Sequence, residues 1–156
     1  SSGTILYKKS YGTSSGSVDS NFSSISVNSS DQTYYTGYEV NGSSGNISLF
    51  RINSNGTLSA DYQIAVTASG NYGVGFNKTG TDSSGNVYII GSRGQSGTYD
   101  KDGYIMKLNS SMVIQWQHTL GSSGYYPIEQ WYDLAFDSSD NIYCVGTGRS
   151  WGNCYR

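Results

Sequence analysis

Asp82-Ser83-Ser84-Gly85-Asn86-Val87-Tyr88-Ile89-Ile90-Gly91 contains a turn, a strand and a closing glycine in one short run. The same element occurs twice more, as Asn28-Ser29-Ser30-Asp31-Gln32-Thr33-Tyr34-Tyr35-Thr36-Gly37 and as Asp137-Ser138-Ser139-Asp140-Asn141-Ile142-Tyr143-Cys144-Val145-Gly146. Ser30, Ser84 and Ser139 are 54 and 55 residues apart, and Tyr34, Tyr88 and Tyr143 fall in register. The leading Asp82 and Asp137, followed by serines, can accept hydrogen bonds from backbone amides just downstream, which is how an Asx turn forms. After the turn the side chains alternate, with Val87 and Ile89 on one face and Tyr88 and Ile90 on the other. Two apolar faces predict a strand covered on both sides.

Further matches extend outward from this element. Ile47 to Asn53 matches Tyr104 to Asn109, and Thr4 to Gly12 matches Val113 to Gly121, with Leu58 to Val66 as the copy between them. Trp131 to Phe136 corresponds to Phe22 to Val27. One period is then four short strands, 104–108, 112–120, 131–136 and 141–146, separated by residues that turn the chain. No apolar stripe with helical spacing lasts beyond a turn or two, so the chain reads as all-β. Four-stranded units at this period read as propeller blades or as stacked sandwiches, and the near-constant period with both faces apolar favours a β-propeller of four-stranded antiparallel blades, about three per chain. The expected division is a partial blade at 1–46, blades at 47–101 and 102–150, and a tail strand at 151–156. Gly37, Gly91 and Gly146 are expected to release the backbone into the loop toward the next blade.

Composition supports an ordered fold of this kind. Hydrophobic residues are 35% and charged residues 13%, but aromatics reach 14% and the formal charge is only -2, which argues against disorder. Twenty-one glycines with abundant serine and asparagine suit many turns, and fifteen tyrosines suit half-buried strands. The weak negative charge offers no electrostatic funnel for a nucleic-acid backbone. No apolar run approaches the roughly 20 residues of a membrane-spanning helix. The opening Ser1-Ser2-Gly3 has no initiator methionine and no basic-then-apolar leader, as expected of a mature or excised end.

These elements resemble the bacterial β-propeller repeat family often called SBBP-type. The resemblance is carried by Ile105-Met106-Lys107-Leu108-Asn109, Trp116, Gly121-Ser122-Ser123-Gly124, Asp137-Ser138-Ser139-Asp140-Asn141-Ile142-Tyr143 and Gly146, and the repeats cover nearly the whole chain. The first repeat departs most, with Gln32 and Thr33 where the pattern has asparagine and valine, and Tyr7 in the tryptophan position. The resemblance implies a noncatalytic binding or scaffold module of a secreted, surface or virus-encoded protein.

Three blades do not close a ring, since propellers have at least about four. An open stack would expose apolar faces and unpaired edges. The expectation is therefore self-association, as a pair of chains with about six blades, or membership of a longer propeller. In either case the tail Trp151 to Arg156 would complete a blade.

Candidate chemistry is sparse. His118 is the only histidine, which excludes a histidine-rich metal centre within one chain, and it reads as a structural or surface residue. Cys144 and Cys154 permit one disulfide without a CxxC redox spacing, and Cys144 also reads as a small buried hydrophobe. Asp100 with Asp102, or Asp137 with Asp140, has the oxygen chemistry for calcium but lacks the dense alternation of an EF-hand loop. Glu129 and Asp133 are near each other in sequence without the other marks of a glycosidase pair. No serine occupies a nucleophile elbow and no glycine run follows a phosphate-binding pattern. No cofactor, metal or catalytic group is expected, and the chain reads as a nonenzyme. Asn21, Asn28, Asn41, Asn46, Asn55, Asn77 and Asn109 have glycan-acceptor spacing, largely through the serine-rich composition.

The third repeat is the exception, because Tyr125, Tyr126, Trp131, Tyr132, Arg149 and Trp151 interrupt the pattern with aromatics at blade-end loops. Such faces stack on sugars or anchor protein surfaces, while Trp131 and Trp151 equally suit the space between blades. Two readings follow. One is a scaffold or assembly module, extracellular or surface-exposed, with a virion surface as one setting. The other is a module that recognises a glycan or a surface protein through those aromatics.

Overall fold

The computed structural model describes residues 19–41, 44–66, 75–94, 101–121 and 129–148. Within them the chain is all-β, with ten strands in three separate antiparallel sheets. The first sheet is β1 (Asp19–Val27), β2 (Thr33–Asn41), β3 (Ser44–Ile52) and β4 (Leu58–Val66). The second is β5 (Gly75–Thr81), β6 (Val87–Gly94), β7 (Lys101–Leu108) and β8 (Ile114–Leu120). The third is the pair β9 (Gln130–Phe136) and β10 (Ile142–Thr147). In every sheet, strands adjacent in sequence are also adjacent in space. The expected strand at 4–12 and the tail at 151–156 lie outside the described residues.

The strands occur where the sequence repeats, but the sheets are grouped in another phase. A sheet begins with the strand preceding the serine-rich turn, so the period written from 104 takes its first two strands from the second sheet and its last two from the third. The physical reason is the pairing of β2 with β3 and of β6 with β7, which keeps the chain in one sheet where the expected period was cut. The changes of sheet fall at 67–74 and 121–129.

Five of the hairpins share one geometry. In each, the first turn residue donates its N–H to the carbonyl four residues on, and the residue three on donates back to its carbonyl. The turns start at Asn28, Asn53, Asp82, Asn109 and Asp137. The residue three after each start has positive φ: Asp31 (58°), Gly56 (78°), Gly85 (76°), Met112 (66°) and Asp140 (61°). This is a type I turn followed by a left-handed residue, a standard hairpin connection whose last position suits glycine and tolerates aspartate. The side-chain oxygen of the first residue supports the turn, as expected. Asp82 Oδ1 accepts from the N–H groups of Ser84 (3.1 Å) and Asn86 (2.8 Å), and Asp137 Oδ1 accepts from those of Ser139 and Asn141 (both 2.9 Å).

The closing glycines have a different role from the one expected. Gly37, Gly91 and Gly146 lie inside β2, β6 and β10, opposite a β-bulge in the neighbouring strand. The bulged residues are Ser23, Asn77 and Tyr132, again spaced by 54 and 55. Each bulge brings a carbonyl over the glycine, so an added Cβ would run into the oxygen of Asn21, Gly75 or Gln130 respectively. These strands continue past the glycine rather than ending at it.

The sheets stack in one direction. The face of the first sheet bearing Tyr34, Ile47 and Leu49 packs on the face of the second bearing Phe76, Val87, Ile89 and Met106, forming the main core. Thr79 N–H donates to Ser24 Oγ (3.0 Å), and Thr81 Oγ1 donates to the Val27 carbonyl (3.1 Å), tying β5 to β1. The other face of the second sheet meets the third, where Tyr88 packs edge-on to Phe136 (5.0 Å) and Gly80 leaves room for Leu134 and Phe136. Every residue of β6 except Arg93 is therefore buried, as the two-faced pattern of Val87 to Ile90 predicts. Each fully covered valine, leucine or isoleucine contributes about 1.5–3 kcal/mol.

Candidate functional site

Of the six aromatic and basic candidates, Trp131 and Tyr132 are described; Tyr125, Tyr126, Arg149 and Trp151 lie outside the described residues. Both described residues are on β9, but they are placed differently. Trp131 is half-buried with its indole over Gly103, where a Cβ would come 2.7 Å from Nε1, and its carbonyl accepts from Asn77 Nδ2 (2.6 Å). It fills the space between the second and third sheets. Tyr132 is the bulged residue and is exposed, with its hydroxyl 3.2 Å from Thr147 Oγ1. The bulge removes it from the strand ladder, so of the two it is the aromatic offered to solvent.

The in-register tyrosines occupy matching surroundings. Each hydroxyl returns to the first residue of its own turn: Tyr88 donates to Asp82 Oδ2 (3.2 Å), Tyr143 donates to Asp137 Oδ2 (3.1 Å), and Tyr34 accepts from Asn28 Nδ2 (3.3 Å). Their exposure differs, at 0% for Tyr34, 4% for Tyr88 and 60% for Tyr143. The first two are covered by the next sheet. Val145 beside Tyr143 is 63% exposed, and these residues line an open groove with Asp133, Ala135 and Cys144.

The carboxylates near this region are occupied structurally. Burial pushes the Asp82 carboxyl up, but hydrogen bonds from the Asn86 side chain and amide and from Tyr88, with the charge of Lys107, together hold it below its ordinary 3.8. Lys107 lies 3.7 Å from Asp82 Oδ2 and 4.9 Å from the Tyr88 ring centroid. Its ammonium is held above the ordinary value first by Tyr88, against the opposing effect of burial. Asp137 is held low first by the Asn141 side chain. Asp140 accepts from Ser83 N–H and Oγ, joining two turns across the sheet boundary. Asp133 pairs with Lys78 (3.1 Å), which keeps its carboxyl low.

The Asp137 and Asp140 oxygens therefore already accept N–H and O–H donors, which a calcium ion would have to displace. Asp100 lies outside the described residues. Among the described residues, no three His, Cys, Asp or Glu side chains group together in a way that would hold a metal. The Glu129 backbone N–H donates to the Lys101 carbonyl (2.7 Å), and the Asp133 carboxylate is bound to Lys78. His118 is exposed on β8 with its ring 5.2 Å from Trp116. Cys144 is half-buried, makes no disulfide with a described residue, and has its thiol pushed up by burial. Among the described residues, no helix is long and apolar enough to cross a membrane.

The polar links between the second and third sheets were not anticipated from the sequence: Asn77 to Trp131, Lys78 to Asp133, and Ser83 to Asp140. Asn77 had a detectable signal, because Ser23, Asn77 and Tyr132 share the repeat offset, but it becomes meaningful only once the bulge is known. No protein-family model matches the chain, and no curated protein matches it. The resemblance to SBBP-type repeats rests on its motifs, and the architecture itself is a repeat-like arrangement of three antiparallel sheets.

Proposed function

We propose that the three sheets are successive blades of a β-propeller and that the chain is a noncatalytic scaffold or assembly module of an extracellular or surface-exposed protein, a virion surface being one setting. The observation that carries this reading is the stacking rule: the first strands β1, β5 and β9 succeed one another, linked by Thr79 to Ser24 and by Asn77 to Trp131. Blades around a common axis have this relation. The engagement of Asp82, Asp133, Asp137 and Asp140 in turns and sheet contacts supports a noncatalytic role. Small-angle scattering or electron microscopy of the assembled protein tests the propeller reading. A ring-shaped particle supports it, and an extended or two-layer particle overturns it.

A second reading, recognition of a glycan or a surface protein, is favoured by the outward placement of Tyr132 at the bulge. A glycan array with the intact protein separates the two. A reproducible signal lost in Tyr132→Ala but kept in Lys78→Ala supports recognition, and no signal above background favours the scaffold. Incubating the same glycans with the protein tests the nonenzyme reading, which any turnover would overturn.

A further inference from the structure

We propose that Asn55, at the tip of the hairpin joining β3 to β4, is an acceptor for an N-linked glycan. The proposal rests on the extracellular reading for the donor that the chain meets, though not for the geometry of the site.

Seven asparagines have a serine or threonine two residues on, and the structure sorts those whose side chains it describes. Glycan transfer to asparagine reads the amide together with that hydroxyl. At Asn77 both groups are committed elsewhere. Its Nδ2 donates to the Trp131 carbonyl (2.6 Å), and the buried hydroxyl of Thr79 donates to the Tyr88 carbonyl (3.1 Å). At Asn28, Nδ2 donates to Gln32 Oε1 (3.0 Å) and Tyr34 OH (3.3 Å), while Oδ1 accepts the N–H groups of Ser30 and Gln32 in its own turn. Asn109 Oδ1 is held in the same way by Ser111 and Val113. Asn21 lies in the β1–β2 ladder, and the hydroxyl two residues on, Ser23 Oγ, donates to the Thr36 carbonyl (3.4 Å). The side chains of Asn41 and Asn46 lie outside those described.

Asn55 is arranged differently. Its Oδ1 accepts from both the N–H (3.0 Å) and the hydroxyl (2.7 Å) of Thr57. Asn53 Nδ2 donates to the same hydroxyl oxygen (3.1 Å), so the hydroxyl hydrogen is directed at Asn55. Amide and hydroxyl are thus already side by side, and Asn55 Nδ2, the atom that takes the sugar, has no hydrogen-bond partner among the described residues. Asn55 and Thr57 are exposed, whereas Gly56 between them is buried and donates its N–H to the Asn53 carbonyl (2.8 Å), which fixes the bend. A bend set before binding removes part of the ordering cost at the transferring enzyme.

The donor class is an oligosaccharide carried on a polyprenyl diphosphate. Asn55 Nδ2 attacks its anomeric carbon. The C–N bond forms, the anomeric C–O bond breaks, polyprenyl diphosphate leaves, and one amide proton passes to a base of the enzyme.

The test is to incubate the folded chain with an oligosaccharyltransferase and that donor, an Asn-X-Thr peptide serving as the activity control. Mass spectrometry of proteolytic fragments should find the glycan on Asn55 and not on Asn28 or Asn77, and Asn55→Gln should lose it. Thr57→Val, which keeps the shape of the side chain, should lower the modified fraction at least about tenfold, the value of one hydrogen bond. Thr57→Ser should restore it, with circular dichroism showing that each variant is folded; the wild-type map is independent of any folding defect. An unmodified folded chain beside a modified control peptide, a glycan on Asn28 or Asn77 instead, or Thr57→Val modified like wild type overturns the proposal. Protein recovered outside the cells that make it, with Asn55 bare, also overturns it and leaves the extracellular reading intact. Protein confined to the cytosol, with the folded chain still an acceptor in vitro, keeps the site and discards that reading.

Discussion

Replacing Asp82 with asparagine removes a charge at almost constant volume and tests whether the repeated turn depends on a carboxylate. Asp82 is buried, and its Oδ2 accepts from Asn86 Nδ2 (2.8 Å) and Tyr88 OH (3.2 Å), with Lys107 Nζ at 3.7 Å. In Asp82→Asn, the amide carbonyl can keep the two backbone bonds of Oδ1, but the NH2 group then faces three donors. Asn86 can rotate its amide and Tyr88 can accept instead of donate, while Lys107 has no acceptor to offer. Hydrogen bonds to a charged group contribute about 1.5–3 kcal/mol each, so with partial recovery the net loss should be about 2 kcal/mol. For a chain of this size that lowers Tm by roughly 4–8 °C. Because the folded carboxyl titrates below its ordinary 3.8, its stabilisation is present above that value and is lost as pH falls through the folded value. Urea unfolding followed by intrinsic fluorescence should therefore show the full difference at neutral pH, with the gap closing below about pH 4. Asp137→Asn is the internal control, since Asp137 accepts the equivalent hydrogen bonds from Asn141 and Tyr143 in an exposed setting, without a counterpart of Lys107 among the described residues, and should lose less. The reasoning is refuted if Asp82→Asn unfolds within about 0.5 kcal/mol of wild type at neutral pH, well below the usual value of such bonds, or if Asp137→Asn is equally damaging.

Other substitutions test the remaining parts of the repeat. Gly91→Ala should destabilise by about 2 kcal/mol or more through the clash with the Gly75 carbonyl. Gly75→Ala, whose Cβ would make only an ordinary 3.5 Å contact with Ser92 Oγ, should change stability by less than about 1 kcal/mol; thermal unfolding of the pair decides. Asp31→Gly should stabilise by up to about 1 kcal/mol by relieving a left-handed residue on the surface. Met112→Gly, with the same backbone geometry, should lose about 2 kcal/mol or more because its side chain is in the core. The Cys144 thiol should alkylate more slowly than a free cysteine peptide at neutral pH, with its rate still rising past pH 9, because burial pushes its pKa above the usual 9.0.

The parts of the fold legible in the sequence were those set by neighbours along the chain. Asp82 and Asp137 start turns, Tyr34, Tyr88 and Tyr143 share an environment, and Val87 to Ile90 is covered on both faces, all through local geometry and alternation. The equivalence of the Asn53 and Asn109 turns was legible from the asparagine that ends each matched strand, whereas their shared left-handed position was not, because it holds Gly56 in one and Met112 in the other. The glycines at 37, 91 and 146 were recognised as invariant within the repeat, but a bulge is a relation between strands and leaves no composition signal. Sheet phase was hidden for a similar reason, since a period can be cut anywhere until pairing is known. At the candidate site, the aromatic character of Trp131 and Tyr132 was visible, but their division into filler and exposed ring follows from Gly103 and the skipped register at Tyr132.

The unlike sides of each sheet also bear on how such a molecule can change over generations. An in-frame duplication of one period brings a socket on one side and a plug on the other, so the newcomer supplies both halves of every junction it creates. Sheet number can therefore rise or fall in whole steps without redesign of local chemistry, while the two outermost surfaces alone determine whether the array continues, pairs or stops.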